Sequence, residues 1–344
     1  MIALDNTAAG QIGIAGNINF IFTLGTNKLH NININDNDRI IAQIHIMSSA
    51  TMITPQNIAP NLAKTIGLSA GLYLKREDLH PLGSHKGRSI PLMIERYAAN
   101  GARDFVISSS GNAALAAVRA ITGFNTARGE DPLKLTVYFG KNIDADKLKL
   151  ISEAAGKDGH VLIKQVGNPK QEAFLAEKDG RTKNIRQSTD DSALAGYEEL
   201  ARELAEINNL SAVFIPTSSG TTAEGLFAGF KKLELNPAIH VVQTPACHPF
   251  IAGIGEETET PSIATAIVDH VAHRLTRIKT VITESHGAGW IADNQEIMAA
   301  MAETKREEGL DVSPNSALSI AGLKKCVQSG RTFAGPVVCL ITGR

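Results

Sequence analysis

The sequence predicts an α/β protein with two parallel-sheet, three-layer α/β domains and an active site in the cleft between them. From residue 71 onward, short apolar runs alternate with helical patterns, which is typical of right-handed βαβ units whose sheets are covered on both faces. A polar stretch at residues 178–191 divides this pattern into two runs and so indicates two domains. Ligands of such folds bind at the strand ends or between the domains.

The first run of the alternation begins with a strand at residues 71–76. Ser89 caps the next helix, Pro91 lies in its first turn, and Gly101 ends it. Strands are then predicted at 104–108, 134–139 and 160–166, and helices at 111–122, 144–155 and 169–180.

The second run follows the polar stretch with the same alternation. Helices are predicted at 192–207, 220–233, 292–309 and 315–328, and strands at 211–216, 238–243, 279–284 and 336–342. Residues 1–46 contain an Asn- and Ile-rich segment of low complexity, so we predict an N-terminal extension there. We predict a larger domain from residues 47–90 and 186–344 and a smaller domain from residues 91–185.

The composition is that of an ordinary globular protein. The chain has 344 residues, 43% of them hydrophobic and 20% charged, and a formal net charge of −1, so no global field attracts nucleic acid or acidic lipid. No apolar run reaches the roughly 18 residues of a spanning helix, and the start lacks a basic leader. Three scattered cysteines cannot close a disulfide framework, so we expect a cytoplasmic protein without nucleic-acid or membrane partners.

Several common chemistries lack their motifs in this chain. There is no Gly-Lys-Ser/Thr phosphate loop, no G-x-G-x-x-G after a strand, and no G-x-S-x-G elbow. His270 and His273 could share a helix face, but no cysteine pair or nearby carboxylate completes a metal site in the sequence. We therefore predict no metal.

Two strand-to-helix loops and one lysine remain as candidates for a site. The loops at residues 107–114 and 215–225 are rich in Ser, Thr and Gly, and a helix N-terminus with free N–H groups and hydroxyls binds anions. Each loop alone is equally well explained by ordinary helix capping. Lys86 lies among small and turn-forming residues directly after a strand. A phosphate on one loop, a carboxylate on the other and a lysine between them fits an amino acid joined to pyridoxal phosphate.

Four motifs resemble those of a known family in their order along the chain. They are KREDLHPLGSHKGR at 75–88, SSSGNAA at 108–114, TSSGTT at 217–222 and CLITGR at 339–344. They look like the motifs of the tryptophan synthase β superfamily, the fold type II pyridoxal-phosphate enzymes, over roughly residues 50–344. The resemblance implies pyridoxal 5'-phosphate as the cofactor, bound by the larger domain, together with a small amino-acid substrate and a homodimer.

The resemblance also implies roles for individual residues. Lys86 is the catalytic lysine that anchors the cofactor, and Asn112 lies beside the cofactor's phenolic oxygen. The remaining cofactor-binding residues are Ser218, Ser219, Gly220, Thr221 and Thr222 around the phosphate and Thr342 at the pyridine nitrogen. The substrate-binding residues are Ser109, Ser110, Gly111, Asn112 and Ser188.

Elementary chemistry supports these implied roles. Lys86 must lose its proton to join the cofactor, so a partly desolvated position is expected, and its freed amine is then placed to act as a general base. A neutral Thr342 hydroxyl at the pyridine nitrogen would keep the ring less protonated, which favours elimination over transamination.

The implied reaction is narrowed by three further stretches. Residues 261–269 and 307–325 resemble threonine synthase, which eliminates phosphate from O-phosphohomoserine and adds water to give threonine. The second stretch also resembles serine/threonine ammonia-lyases, and GSHKG resembles the tryptophan synthase β chain. We therefore predict a threonine synthase-like carbon–oxygen lyase acting by β/γ-elimination or replacement, with these two enzymes as alternatives.

Two departures from the family pattern keep another class of protein open. The phosphate loop has a single glycine, and the position of the substrate-phosphate arginine holds Ala193. Arg88 or Arg186 could substitute for it, although we expect both to be exposed. A catalytically idle protein that binds pyridoxal phosphate or an amino acid is the remaining alternative.

Overall fold

The protein is described from a computed structural model at residues 53–128, 131–141, 143–157, 159–251 and 256–343. The predicted extension at residues 1–46 lies outside these residues. Thr51–Arg344 forms one compact unit. Two parallel-dominant sheets with helices make it an α/β fold, which confirms the predicted fold class.

Ten strands lie in the described residues. They are β1 (Gln56–Ile58), β2 (Leu72–Lys75), β3 (Asp104–Ser108), β4 (Lys134–Phe139), β5 (Val161–Gln165), β6 (Thr182–Asn184), β7 (Ala212–Pro216), β8 (Ala238–Gln243), β9 (Ala288–Ile291) and β10 (Val337–Leu340). The larger sheet has the order β1-β2-β10-β7-β8-β9, and the smaller has the order β5-β4-β3-β6. Apart from the antiparallel pair β1 and β2, all these neighbours are parallel.

Ten α-helices connect these strands within the same residues. They are α1 (Pro60–Thr65), α2 (Ile90–Ala99), α3 (Asn112–Arg128), α4 (Ala145–Ala155), α5 (Pro169–Lys178), α6 (Ala195–Ala205), α7 (Thr221–Lys232), α8 (Leu275–Glu284), α9 (Asn294–Glu308) and α10 (Pro314–Gln328). None of them is both long and apolar enough to cross a membrane.

The core of the larger sheet explains why its strands are nearly continuous apolar runs. Successive side chains of a strand point to opposite faces. Along β10, Val337 and Cys339 belong to one buried cluster, whereas Val338 and Leu340 belong to another. Both faces are therefore covered, as is usual for parallel sheets.

Most predicted elements are confirmed, but the order near residue 280 is wrong. Residues 279–284, predicted as a strand, lie in helix α8, while the strand is β9 further along the chain. The β-branched residues suggested a strand, yet the buried Ile278 and Val281 are three positions apart, which is helical spacing. The polar stretch at 178–191 also contains β6, a short edge strand of the smaller sheet.

The loops that predicted a site all follow the carboxyl ends of parallel strands. Two 3₁₀ turns, Glu77–Leu79 and His85–Arg88, follow β2. The loops after β3 and β7 open α3 and α7, and Thr342 comes two residues after the end of β10. In parallel sheets these ends lie at a common edge, where ligands bind.

Candidate active site

A cavity of about 260 Å³ lies where these loops meet. Residues of both sheets line it, including Ile107 at the end of β3 and Pro216 at the end of β7. The predicted residues in its lining are Lys86, Ser109, Ser188, Ser218, Ser219, Gly220, Thr221, Thr222 and Thr342. Ser110, Gly111 and Asn112 are not in the lining, and the Ser110 side chain is exposed.

The turn that carries Lys86 is held by local constraints. The Ser84 hydroxyl accepts a hydrogen bond from the Lys86 backbone N–H at 3.2 Å. A Cβ at Gly87 would lie 2.3 Å from the His80 ring, so glycine is required beside the lysine. These constraints direct the chain after β2 into the cavity.

His85, directly before the lysine, is a neutral imidazole. Burial first, and then the Lys86 ammonium, lower the pKa of His85 to about 3. Its Nδ1 lies 2.9 Å from the Thr342 carbonyl oxygen, so Nδ1 carries the proton and donates it. The backbone N–H of His85 donates to the same oxygen at 2.9 Å. The lysine turn and the Thr342 turn are thus joined directly.

A buried ionic cluster lies beneath the lysine turn. Arg88 pairs with Glu77, at 2.8 Å between Nη2 and Oε1, and also with Glu203, and Glu203 accepts from Lys75 at 2.5 Å. Burial would raise the pKa of Glu77, but Arg88 beside it holds that pKa below its ordinary value. The prediction that Arg88 is exposed is wrong, since these two carboxylates hold it in the interior.

Asn112, at the end of the loop after β3, is contacted by a lysine of α4 that was not predicted. The Ser109 hydroxyl accepts from the Gly111 N–H at 3.2 Å, and Asn112 opens α3. Lys147 Nζ donates to Asn112 Oδ1 at 2.8 Å, and burial lowers the pKa of this lysine. Sequence reasoning missed Lys147 because one lysine in the first turn of a polar helix gives no signal.

The loop after β7 has the geometry of an anion site. Gly220 has φ +83° and caps α7 without a side chain, so no capping group occupies the N–H groups of the first turn. Ser219 and Thr221 hydroxyl oxygens lie 2.9 Å apart, and Ser218 Oγ accepts from the N–H groups of Val268 and Asp269, each at 3.2 Å. Open N–H groups, hydroxyls and Lys86 in one cavity fit the phosphate and aldehyde of pyridoxal phosphate.

The cavity lining also contains an arginine, Arg186, besides Lys86 and Lys170. Arg186 lines the cavity, and its Nε donates to Ser188 Oγ at 3.1 Å while its Nη2 donates to His273 Nε2 at 2.9 Å. Ala193, at the position of the missing arginine, is fully buried. Arg186 was predicted to be exposed, and instead it is half-buried beside Ser188.

The two histidines considered for a metal are not on a helix. His270 and His273 both precede α8. The expectation that no carboxylate lies near His270 is also wrong, because Glu257 Oε2 is 2.6 Å from its Nδ1. The two residues are 13 positions apart, so local spacing did not show this contact.

Comparison with known proteins identifies the family. The sequence model of the pyridoxal-phosphate dependent enzymes matches residues 48–343, and the chain belongs to that family. It is 29% identical to threonine synthase of Mycobacterium bovis over 305 residues, covering 84% of this chain and 80% of that protein. It is 26% identical to threonine synthase of Methanosarcina acetivorans over 308 residues, covering 84% and 74%.

Solved structures confirm the fold. Serine racemase from Dictyostelium discoideum superposes with a TM-score of 0.71 at 20% identity, covering 89% of this chain and 97% of that one. Threonine deaminase isoform 2 from Solanum lycopersicum gives 0.69 at 18% identity, covering 90% of each chain. The protein therefore has the fold of the type II enzymes, and as a member of the pyridoxal-phosphate dependent family it uses pyridoxal phosphate.

Proposed function

We propose that the protein is a pyridoxal-phosphate lyase or synthase that releases phosphate from O-phosphohomoserine and forms threonine. The observation that carries the proposal is the joint presence of Lys86 and the Arg186–Ser188 pair in the lining of one cavity. The first can anchor the cofactor, and the second can bind a distal anion of the substrate. The threonine synthases among the relatives, at 26–29% identity, support the same reaction.

The cofactor would be held by residues that sequence and geometry bring together. Lys86 would be its covalent anchor, residues 218–222 would bind its phosphate and Thr342 would meet its ring nitrogen. The family resemblance adds Asn112 at its phenolic oxygen, although Asn112 is not in the cavity lining. When bound, pyridoxal phosphate supplies the electron sink for bond cleavage. Among the described lining residues Asp269 is the one acidic side chain. A neutral Thr342 hydroxyl at the ring nitrogen suits elimination.

The substrate's own carboxylate would bind the loop after β3. Ser109, Ser110 and Gly111 offer hydroxyl and N–H donors there, and Asn112 follows at the start of α3. Lys147 adds a positive charge beside Asn112, which favours an anion in this corner. We assign the carboxylate to this loop because the loop after β7 is required for the cofactor phosphate.

The distal phosphate would bind Arg186 and Ser188. A guanidinium offers a planar set of donors that matches phosphate oxygens, and the Ser188 hydroxyl lies beside it. Arg186 would thus supply from position 186 the charge that Ala193 does not.

Proton transfer falls to Lys86. When it is not bonded to the cofactor, the Lys86 amine could take the proton from the substrate Cα and return one later. The neutral His85 places no second positive charge beside this amine.

A serine/threonine ammonia-lyase is the second candidate, because a buried alanine, Ala193, stands where an arginine is expected for a phosphorylated substrate. A tryptophan synthase β-like replacement enzyme and an idle binding protein are further alternatives. We also propose a homodimer and a cytoplasmic location, from the family resemblance and the cysteine usage respectively.

A product assay separates these functions. We expect the purified holoenzyme to release inorganic phosphate and threonine from O-phosphohomoserine, and Lys86→Ala to abolish turnover. Ammonia and keto acid from serine or threonine, without phosphate release, would instead establish an ammonia-lyase. Spectral shifts with every amino acid and no product would identify an idle binding protein.

A further inference from the structure

Three metal-ligating side chains from distant positions meet beside the cavity. Cys247 lies in the turn after β8, where its N–H donates to the Thr244 carbonyl at 3.0 Å. Glu257 and His270 come from the segment that precedes α8. The Cys247 Sγ, a Glu257 carboxylate oxygen and a His270 ring nitrogen all lie within 4.8 Å of one another. We call these three residues the thiol cluster.

Two members of the thiol cluster are already oriented. Glu257 Oε1 accepts from the His248 backbone N–H at 2.9 Å, while its Oε2 lies 2.6 Å from His270 Nδ1. The His248 N–H is an outer hydrogen bond of the kind that fixes ligands in metal sites, whereas the Glu257–His270 contact would give way to bonds with the ion. The Cys247 thiol is buried at the base of this pair. Small side-chain shifts would allow one zinc ion to lie roughly 2.0–2.3 Å from each of the three ligand atoms.

The surroundings of the thiol are acidic. The Glu257 and Asp269 carboxylates lie near the Cys247 thiol, and the Lys170 ammonium partly offsets their charge. Asp269 Oδ1 is buried and accepts no hydrogen bond within the described residues, and the Lys170 ammonium is 3.8 Å from it. A divalent cation would compensate this concentration of negative groups.

We propose that the thiol cluster binds one zinc-type divalent metal ion through Cys247 Sγ, a Glu257 carboxylate oxygen and a His270 ring nitrogen. Sulfur and imidazole ligands favour Zn²⁺ over Mg²⁺ or Ca²⁺, and the three residues leave a fourth tetrahedral position for water. Binding displaces the thiol proton to solvent and forms a metal–sulfur bond, with no change of oxidation state.

The ion would cross-link two segments next to the cavity. It would link the turn after β8 to the segment that leads through Ala266 and Asp269, and both of these residues line the cavity. Metal binding would therefore hold this wall in place while taking no part in the chemistry at Lys86. The proposal does not depend on which substrate the enzyme uses.

The test is a metal titration of untagged holoenzyme after chelation. We expect one equivalent of Co²⁺ to give tetrahedral d–d bands at longer wavelengths than the cofactor absorbs, and one equivalent of Zn²⁺ to displace it. Glu257→Gln and His270→Gln, both at exposed positions, should weaken metal binding by at least about 10-fold. Cys247→Ser should weaken it more than the roughly 10–100-fold that follows when a metal ligand loses an outer hydrogen-bond partner. Cys326→Ser, another buried thiol, is the matched control and should bind normally.

Two results would overturn the proposal. One is the absence of stoichiometric binding by the wild-type holoenzyme. The other is equal affinity in the wild type, Glu257→Gln and His270→Gln, since these exposed substitutions leave the fold intact. If Cys247→Ser unfolds, the two exposed variants still decide the question.

Discussion

At the scale of single residues, the site depends on where its positive charges lie. Arg88 and Arg186 are equivalent candidates in the sequence. The structure separates them, because Arg88 pairs with two buried carboxylates, whereas Arg186 lines the cavity beside Ser188. Arg88 is buried with its carboxylate partners, which lie 11 and 115 positions away in the sequence. No local sequence pattern indicates that these residues pair.

Replacing Arg186 with Ala should raise the KM for O-phosphohomoserine by about 10-fold or more, because a hydrogen bond to a charged group contributes roughly 1.5–3 kcal/mol. The KM for serine, which has no distal anion, should change little. Steady-state kinetics on both substrates measures the difference. Arg181→Ala is the control, since the Arg181 side chain is 86% exposed. An unchanged KM for the phosphorylated substrate would remove Arg186 from the binding site.

At the scale of elements, the loop after β7 combines a left-handed glycine with an open helix start. Gly220 has φ +83°, and a Cβ there would lie 2.7 Å from the Ile278 side chain of α8. The packing of α7 against α8 thus requires glycine at the point where the cofactor phosphate is proposed to bind.

Gly220→Ala should weaken pyridoxal-phosphate binding by at least about 10-fold, because the clash displaces the loop in addition to the roughly 1–2 kcal/mol of left-handed strain. The matched control is Gly309→Ala, which has φ +66° but open space around the new Cβ. That variant should lose only the stability that the left-handed strain costs and keep normal cofactor affinity. A cofactor titration of the two refolded apoenzymes measures this, and equal affinities would refute the role of the loop.

The same scale shows which elements the sequence determines. The strands at 104–108, 134–139 and 238–243 were predicted to the residue, because each is a short run between clear breaks. The strand β9 was missed because AGWI is brief and contains glycine, and its strand character comes from pairing with β8. Helix α8 was mistaken because its burial pattern depends on tertiary contacts.

At the scale of the whole molecule, three neutral histidines, two of them buried and His85 half-buried, make stability depend on pH. Burial lowers the pKa of His80 to about 4 and the pKa values of His85 and His240 to about 3. The unfolded chain binds protons at these residues below about pH 6.5, whereas the folded protein does not. The stability they contribute is fully present above about pH 6.5 and is lost as the pH falls toward 4 and 3.

His240 allows this to be tested away from the cavity, since it stacks on Phe214 and accepts from Trp290 Nε1 at 3.1 Å. His240→Gln removes one group that binds a proton when the protein unfolds at low pH. The free energy of unfolding falls between pH 7.5 and pH 5, and this fall should be smaller by about 2 kcal/mol in the variant. The difference corresponds to one proton bound over the roughly 1.5 pH units below pH 6.5. Urea unfolding at the two pH values measures it, with the exposed His286→Gln as control. An unchanged pH difference would contradict a neutral, buried His240.

Across the molecule, the order of the motifs was predictable and their three-dimensional partners were not. Lys86 and the two loops could be identified because each is local and follows a strand. Lys147, which is 35 positions from Asn112, and the Glu257–His270 pair became visible only in the folded chain. Contacts between residues this far apart in the sequence depend on how helices and loops pack in the folded chain.

The central claim is that Lys86 anchors the cofactor, and reductive trapping tests it most directly. Borohydride reduction of the holoenzyme followed by peptide mass spectrometry identifies the lysine that carries pyridoxal phosphate. We predict the label on Lys86 alone, although Lys147 and Lys170 lie close by. A label on either of those lysines, or no label on a holoenzyme that retains its cofactor, would contradict the account.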